Sequence, residues 1–577
     1  MRRVKEHKNF TLTSTSSWKL LTLILIFSLI TVVLVGRLFI IQIIKHSQYA
    51  KQAQTIQLKK VELKANRGEI LDNQGVVLAT NSKSLIVAVD PKVIAQDPDK
   101  KQEFINLLSS ITGETANYYL KRVADTNQRY VILAKNINIQ YKDTLNKLNF
   151  YGVRIDELSE RIYPYDNLAS HLIGFINSDG VGISGIEFQY DSLLRGKSGY
   201  MVFKRDLLRN FHAGAELPSV KPVDGDNVEL TINSNLQNIV EFELESGLKT
   251  TQADAGSVIV MNPNTGEIYA LASAPTFNPN IISERKPELV RNRAINDEYE
   301  PGSTFKLVTA SAALEEKLVS PDQVFSGYGG AYHVQGSIIR DVHNLGDMTF
   351  RQAIERSSNI VFAQVAAKIP KKTFYKYIRD FGFGLLTDIE LPGEARGRIP
   401  SPDEMTLTLQ RYIGFGYGIS TTPLQILLAY CAAANGGNLV KPFLVKSIFD
   451  NSGNYLYQAQ PKKIRRVISK ETSELIKELF TGIVDRGTGK AVKIDNMRIA
   501  GKTGTSQQIV DGTYSKSKYN ASFVGFFPVE NPQIAMIIVL DNPKGNYYGG
   551  ATAAPIFRNI ALRIVNSSDV LINALKK

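Results

Sequence analysis

Residues 300–306 read Glu-Pro-Gly-Ser-Thr-Phe-Lys, and this stretch decides which fold and which chemistry the sequence encodes. The Pro-Gly pair ends a turn, and a run with helical spacing follows over residues 303–314. Ser303 therefore stands at a predicted helix N-terminus, with Lys306 one turn along the same face. A serine hydroxyl becomes a good nucleophile when a neighbouring base takes its proton, and a lysine is such a base only when burial or another cation disfavours its charged form. The stretch predicts Ser303 as a nucleophile and Lys306 as its base.

A second motif, Ser357-Ser358-Asn359, stands between two stretches with helical spacing. Ser357 is predicted to relay a proton between Lys306 and a leaving amine. The amide of Asn359 is predicted to hold Lys306 and the backbone of a substrate, because it carries both donors and an acceptor. The motif thus supplies the groups that a serine–lysine pair needs beside it.

A third motif, Lys-Thr-Gly-Thr at residues 502–505, lies in a strand-like piece of the C-terminal part. Lys502 is a second cation that disfavours the protonated form of Lys306 and attracts a carboxylate. Gly504 lets a substrate backbone approach closely, because glycine has no side chain. The predicted substrate-binding residues are Asn359, Lys502, Thr503, Gly504 and Thr505.

The backbone N–H groups of Ser303 and Thr505 are predicted to form an oxyanion hole, which stabilises the charge that develops when a serine attacks a carbonyl. Each of the three motifs alone occurs by chance in many proteins. All three in this order are hard to obtain by chance, so the combination predicts an enzyme that forms an acyl-serine intermediate.

The three motifs resemble the active-site signature of the penicillin-recognising serine transpeptidases and β-lactamases. Longer stretches make the chain similar to the monofunctional class B penicillin-binding proteins, nearly from end to end. The resemblance implies peptidoglycan D,D-transpeptidation without a cofactor: Ser303 attacks the penultimate D-Ala carbonyl of a stem peptide, the terminal D-Ala leaves, and a second peptide's amine takes the acyl group. The stretches that carry the resemblance are residues 67–72, 185–191, 292–294, 299–306, 415–418 and 422–425.

The resemblance also implies an α+β or α/β architecture of several parts. These are an N-terminal membrane anchor, an elongated pedestal domain and a C-terminal penicillin-binding transpeptidase domain of the serine β-lactamase/transpeptidase type. The last has a central antiparallel sheet flanked by helices and a helical subdomain. The predicted boundaries are residues 1–19 for a cytoplasmic tail, 20–41 for the anchor, 46–225 for the dimerisation-like pedestal, 226–567 for the transpeptidase domain and 568–577 for a C-terminal tail.

Local patterns predict the elements of the two domains. The first domain should contain short strands near residues 66–79, a separate strand at 85–90 and helices within 101–125. A shift to Pro, Gly and charge over 218–225 marks the boundary. Beyond it we expect a sheet whose first and last strands are neighbours, around a helical middle. The expected elements are a strand at 228–232, a helix at 236–248 capped by Asn233 or Ser234, a hairpin of 256–261 with 267–272, helices over 303–440 and strands at 521–527 and 534–540.

The resemblance favours the septal, division type within class B, through residues 357–359 and 542–550. It implies as partners peptidoglycan stem peptides on a lipid-linked precursor polymer, β-lactams, a polytopic membrane glycosyltransferase and other division proteins. The elongation type is the alternative. The three rival functions are a β-lactamase, a β-lactam sensor and a scaffold with a silent site. A large pedestal, one apolar span and three complete motifs argue against these rivals.

The composition excludes some other classes of function. A length of 577 residues implies two or more domains, and the formal net charge of +13 fits a membrane surface, an anionic polymer or a solvated mixed-charge surface. The sequence lacks zinc-finger spacing, RNP-type motifs and dense Lys/Arg runs, which argues against nucleic acid as a partner. The six histidines have no ligand spacing, so no metal site is predicted. The single cysteine, Cys431, lies in an apolar run and is predicted to be a core residue.

The N-terminal segment predicts a single-pass anchor in the inner (cytoplasmic) membrane. Basic residues precede an uncharged apolar run at residues 20–36, which continues past Arg37 through 38–41. A cleaved signal peptide is the alternative, but the bulky residues after the run contain no Ala-x-Ala site. Positive charge before the span puts the N-terminus in the cytoplasm, so the catalytic domain is expected in the periplasm or another extracytoplasmic space.

Overall fold

The computed structural model describes residues 14–205, 211–212, 218–334 and 336–567. It divides into two compact units, residues 1–65 with 197–223 and residues 66–196 with 224–577. The predicted C-terminal tail at 568–577 lies outside the described residues, as do residues 1–13 of the predicted cytoplasmic tail.

The first unit begins with helix Ser14–Phe39, which continues through the π-helical turn Ile40–Ile44. The 27-residue segment Trp18–Ile44 is long and apolar enough to cross a bilayer, since at 1.5 Å per residue it gives about 40 Å of helix. The predicted anchor at 20–41 lies within this segment, which therefore fits a single-pass membrane anchor. The rest of the unit is helix His46–Gln57 and a small antiparallel sheet of Leu58–Leu63, Gly199–Arg205, Phe211–His212 and Ser219–Val220.

The second unit opens with a sheet built on one long strand, Val77–Val89. The prediction of separate strands at 75–79 and 85–90 is wrong, because the polar residues between them also pair with Val153–Ile162, from Thr80 to Val89. Cross-strand pairing thus overrides the low local β-propensity of a polar stretch. The predicted helices within 101–125 are confirmed. The helices of this region are Pro91–Ile94, Pro98–Thr112, Ala116–Arg122, Lys142–Lys147, Ser170–Ile173, Gly185–Gln189 and Asp191–Leu194.

The same sheet joins residues on both sides of the predicted boundary at 225. Ile70 pairs in parallel with Val228, so early and late segments of the chain share one hydrogen-bonded surface. Its strands along the main path are, in order, Tyr455–Gln458, Val445–Phe449, Asn227–Leu230, Ile70–Leu71, Val77–Val89 and Val131–Asn138, with Val153–Ile162 paired to Val77–Val89.

A five-stranded antiparallel sheet, here called the central sheet, forms the core of the C-terminal part. The predicted strands at 256–261 and 534–540 are neighbours in it, since Gly256 pairs with Leu540, whereas the first strand predicted for the domain, at 228–232, lies in the other sheet beside Ile70. Helices Ser234–Thr251 and Ala553–Asn566 pack on one face and helix Pro423–Ala434 on the other. Asn233 caps the first of these helices through a 3.0 Å bond from the Leu236 N–H. The strand order is Ile268–Ala274, Ala255–Met261, Ile534–Asp541, Thr513–Phe527 and Ala500–Val510.

A helical subdomain packs on the face of the central sheet that carries helix Pro423–Ala434. All twelve residues of that helix are buried, and they include Cys431, which confirms its predicted core position. The subdomain contains helices Pro287–Val290, Arg293–Asn296, Lys306–Glu315, Phe350–Arg356, Asn359–Lys368, Lys371–Asp380, Leu407–Ile413 and Lys470–Asp485. Three small antiparallel pairs accompany them: Val324–Phe325 with Met348–Thr349, Ala331–Val334 with Ser337–Arg340, and Asn438–Val440 with Lys463–Arg466.

Candidate active site

Ser303 lies in a single 3-10 turn, Gly302–Phe305, and not in the first turn of an α-helix as the sequence predicts. The α-helix Lys306–Glu315 follows directly, so Lys306 is its first residue. Gly302 has a positive φ of 54°, which glycine tolerates, and its N–H donates to the Gly416 carbonyl at 3.0 Å. A Cβ on Gly416 would lie 2.0 Å from the Gly302 carbonyl oxygen. Two glycines in contact therefore set the position of the Ser303 turn.

The structure brings together Ser303, Lys306, Ser357 and Asn359, as the sequence predicts. The Nζ of Lys306 donates to the Ser357 carbonyl at 2.6 Å, to Ser357 Oγ at 3.1 Å and to Asn359 Oδ1 at 2.8 Å. Ser357 Oγ lies 3.0 Å from Ser303 Oγ. A chain of two hydrogen bonds therefore runs from the Ser303 hydroxyl through the Ser357 hydroxyl to the lysine.

Two helix ends hold the turn that carries Ser357 and Asn359. Helix Phe350–Arg356 ends at Ser357, whose left-handed conformation (φ 60°) reverses the chain. Ser358 then caps helix Asn359–Lys368, because its Oγ accepts from the Val361 N–H at 3.1 Å. The motif is thus a helix stop followed by a helix start, which directs the side chains of Ser357 and Asn359 toward Lys306.

Lys306 is fully buried, and this environment lowers its pKa. Burial lowers the pKa of Lys306 to about 7, and the carboxylate of Asp341 opposes this shift. All three hydrogen-bond acceptors of its Nζ are neutral oxygens, so they do not fully compensate a buried positive charge. A substantial fraction of Lys306 is therefore neutral near pH 7 and able to accept a proton.

The third motif lies on Ala500–Val510, the edge strand of the central sheet. Lys502 is also buried, and burial together with the nearby Lys306 lowers the pKa of Lys502 well below its usual value. Its Nζ donates to the Thr503 carbonyl at 3.2 Å. The Thr503 hydroxyl lies 2.9 Å from Thr488 Oγ1. The strand thus places a second buried amine beside Lys306.

The edge strand lies directly against the turn of Ser303. A Cβ placed on Gly302 would be 3.0 Å from the Thr505 carbonyl oxygen, so the two segments whose N–H groups are predicted as oxyanion donors are adjacent. The Thr505 hydroxyl accepts from the Gly549 N–H at 3.1 Å. That bond connects the motif to the loop before the last helix.

Gly504 has an internal packing role that the sequence does not reveal. A Cβ at this position would lie 2.3 Å from Ser522 Oγ and 2.9 Å from Thr304 Cγ2. Real Cβ atoms do not come so close to other heavy atoms, so a side chain here would push the edge strand away from the Ser303 turn.

Sequence reasoning missed two carboxylates near the site. Asp341 binds the motif at 357–359 through Ser358 and Asn359, yet no spacing rule connects it to that motif. Glu300 is part of the quoted stretch, but its contacts come from elsewhere: the Gly418 N–H at 2.7 Å and the Tyr514 hydroxyl at 3.0 Å. Burial raises the pKa of Glu300. These partners are distant in sequence, and only the folded chain brings them together.

Comparison with known proteins assigns both halves of the chain to known domain families. Residues 256–562 match the model of the penicillin binding protein transpeptidase domain, and residues 62–230 match that of the penicillin-binding protein dimerisation domain. Stage V sporulation protein D of Bacillus subtilis is 33% identical over 94% of this chain and 84% of its own length. Peptidoglycan D,D-transpeptidase FtsI of Escherichia coli K12 is 29% identical over 100% of this chain and 95% of its own length.

A solved structure of a penicillin-binding protein has a similar fold. Penicillin binding protein 3 from Mycobacterium tuberculosis, in complex with aztreonam, superimposes with a TM-score of 0.69 at 27% identity, covering 88% of this chain and 98% of that chain. The fold, the assembled motifs and the two domain matches agree along most of the sequence. The chain belongs to the class B penicillin-binding proteins, the family that combines a dimerisation domain with a transpeptidase domain.

Proposed function

We propose that this protein is a peptidoglycan D,D-transpeptidase that cross-links stem peptides through an acyl-enzyme on Ser303. The observation that carries the proposal is the chain Ser303 Oγ–Ser357 Oγ–Lys306 Nζ, with spacings of 3.0 and 3.1 Å. Its last member has a pKa of about 7 because it is buried. A general base is most effective when its pKa lies near the working pH, and Lys306 meets that condition.

The first half-reaction forms the acyl-enzyme. Ser303 Oγ attacks the carbonyl carbon of the penultimate D-Ala, and its proton passes through Ser357 Oγ to neutral Lys306. The N–H groups of Ser303 and Thr505 stabilise the oxyanion of the tetrahedral intermediate. The intermediate collapses to an ester as the C–N bond breaks, and the proton on Lys306 returns through Ser357 to the departing amine of D-Ala.

The second half-reaction transfers the acyl group to another stem peptide. The acceptor amine attacks the ester carbonyl, gives its proton to the Ser357–Lys306 pair and forms the cross-linking amide, while Ser303 Oγ leaves and is protonated again. A β-lactam that acylates Ser303 blocks this cycle because its acyl-enzyme hydrolyses slowly. The same base therefore serves in both halves of the reaction.

The motif on the edge strand is proposed to bind the donor peptide. The terminal carboxylate of D-Ala-D-Ala favours the ammonium form of Lys502 and pairs with it, and the Thr503 and Thr505 hydroxyls donate to the same carboxylate. Asn359 binds the peptide backbone through its amide, and the backbone of Gly504 lies along the donor. These contacts align the scissile carbonyl with Ser303 Oγ, which is a large part of the rate enhancement in such reactions.

The cellular setting is proposed from the anchor and from the relatives. We infer that residues 1–19 are cytoplasmic, that residues 46–225 form the pedestal, and that the transpeptidase domain at 226–567 works outside the inner membrane. We also infer the division type, with a polytopic glycosyltransferase and other division proteins as partners. The supports are the Ser-Ser-Asn motif and the relative named FtsI, which aligns with the whole chain.

Intact-mass spectrometry of the full chain in detergent micelles, after incubation with benzylpenicillin, tests the proposed nucleophile. We expect a stable adduct of one penicillin, which disappears in Ser303→Ala and persists in Ser452→Ala, a control at an exposed turn. An adduct that survives Ser303→Ala would refute the nucleophile. Rapid loss of the adduct with release of hydrolysed penicillin would indicate a β-lactamase instead.

A further inference from the structure

We propose that Asp341 is a positioning residue for acylation, acting through the turn at residues 357–359 and through its charge on Lys306. This inference rests on the proposed function, and it adds a fourth segment of the chain to the three that carry the motifs. Asp341 follows the strand Ser337–Arg340 of a small hairpin, and its N–H donates to the Gly330 carbonyl at 3.2 Å.

The carboxylate of Asp341 binds the start of helix Asn359–Lys368. Its Oδ1 accepts from the Asn359 N–H at 2.5 Å and from the Ile360 N–H at 3.1 Å. Its Oδ2 accepts from the Ser358 hydroxyl at 2.7 Å. The first N–H groups of a helix have no partner within the helix, and an anion placed there is stabilised both by these bonds and by the helix dipole. Asp341 therefore fixes the position of the turn, not merely of one side chain.

Arg340, the residue before Asp341, determines the orientation of the Asn359 amide. The Arg340 carbonyl accepts from Asn359 Nδ2 at 3.0 Å, which leaves Oδ1 to accept from Lys306 Nζ at 2.8 Å. A carbonyl accepts only, and a lysine ammonium donates only, so the opposite amide orientation would lose both bonds. Arg340 and Asp341 thus hold the backbone and the side chain of Asn359 from one loop.

The charge of Asp341 acts on Lys306 against the effect of burial. Burial disfavours a protonated Lys306, whereas Asp341 favours it. The second buried amine, Lys502 on the edge strand, has its own pKa lowered by burial and by Lys306. The other groups around Nζ are neutral: the Ser357 carbonyl and hydroxyl, the Asn359 amide and the Phe362 ring, whose centroid is 5.3 Å away. Removing this negative charge should make Lys306 lose its proton at a lower pH.

Two substitutions separate the two roles. Asp341→Asn removes the charge, but its Oδ1 still accepts from the two helix N–H groups, and its amide donates to the Ser358 hydroxyl. Asp341→Ala removes both the charge and the bonds. Asp347→Asn is the matched control, because Asp347 lies in the same loop, is exposed and takes no part in the hydrogen bonds of the 357–359 turn.

The measurement is the second-order rate constant for acylation of the full chain by a fluorescent penicillin, from pH 5 to 9, with thermal unfolding as a check on folding. We expect Asp341→Asn to move the acidic midpoint of the profile about 0.5–1 pH unit lower. We expect Asp341→Ala to lower the rate at its plateau about tenfold or more, because the turn loses its support. Asp347→Asn should match the wild type.

An unchanged midpoint in Asp341→Asn would overturn the electrostatic role, and this variant decides that point even if Asp341→Ala does not fold. A folded Asp341→Ala with the wild-type plateau would overturn the positioning role. A wild-type chain that is not acylated on Ser303 would overturn the proposed function, and this inference with it. A chain that is acylated normally, with no effect of either substitution, would overturn this inference alone.

Discussion

Two of the places where the second unit of the molecule buries ionisable side chains surround them with opposite environments. Near its N-terminal end, Glu187 has no exposed surface and is bound by two arginines, Arg67 at 2.6 Å and Arg161 at 2.7 Å. At the active site, Lys306 and Lys502 are as deeply buried, but the acceptors around Lys306 are neutral.

The contrast shows how burial becomes either structure or reactivity. A buried carboxylate between two guanidinium groups is compensated, and it cross-links the segments that carry it. A buried amine with only neutral acceptors is not compensated, so it loses its proton more readily and becomes a base. Substitutions at the two places should therefore have different consequences, one for stability and the other for chemistry.

The largest effect is expected from Lys306→Ala. Loss of the base should lower the acylation rate of Ser303 by about 10²–10⁴-fold, while the protein stays folded because no ion pair is broken. Stopped-flow labelling with a fluorescent penicillin measures this, with the exposed Lys372→Ala as the control. Labelling of Lys306→Ala at the wild-type rate would remove Lys306 from the proposed mechanism.

Glu187→Ala tests the other side of the comparison. It leaves two buried arginines without their shared carboxylate, which should lower the free energy of unfolding by about 3–5 kcal/mol. Thermal and urea unfolding measure the loss. The control is Glu157→Ala, which breaks an exposed pair with Lys142 and should change the free energy of unfolding far less.

The comparison also predicts that Glu187→Ala acts mainly on stability. At a temperature where the variant remains folded, its acylation rate should change far less than that of Lys306→Ala. Equal losses of acylation in the two folded variants would show that the pedestal network also sets the geometry of the active site.

Gly504→Ala should affect both activity and packing. A methyl group 2.3 Å from Ser522 Oγ forces the edge strand to shift relative to Ser303, and a shift of about 1 Å can cost on the order of 10²-fold in rate. Penicillin acylation and thermal unfolding are to be compared with Gly346→Ala, where a Cβ meets nothing within 4 Å. Wild-type acylation by Gly504→Ala would show that the strand accommodates the methyl group without disturbing the site.

The smallest effect, about tenfold or less for one pH unit, is a change of rate with pH. The pKa of Lys306 in the folded protein is lowered to about 7, so the amine is protonated below that pH and neutral above it. The acylation rate should therefore rise through about pH 7 and fall roughly tenfold per pH unit well below it. A rate that stays constant from pH 5 to 9 would argue against a titrating lysine base.

The sequence predicts the elements of the catalytic part well, because periodicity and caps are local signals. The hairpin of Ala255–Met261 with Ile268–Ala274 and the Asn233 cap are examples that the structure confirms. Prediction from the sequence fails where pairing between distant segments determines the secondary structure. The single strand Val77–Val89 is an example, because its polar middle has no local preference for a strand. The motif residues are predictable for the same reason, since each motif is a short local pattern.

The sequence by itself determined the nucleophile, lysine, Ser-Ser-Asn and Lys-Thr-Gly motifs, their order, the apolar N-terminal span and the resemblance that these carry. Only the tertiary structure decided that Ser357 lies between Ser303 and Lys306, that Gly504 is needed for packing, and that Asp341 and Glu300 belong to the site. The physical reason is that burial and hydrogen-bond geometry depend on residues far apart in the chain. A motif specifies which groups are present, whereas the packing around them sets which groups give up protons.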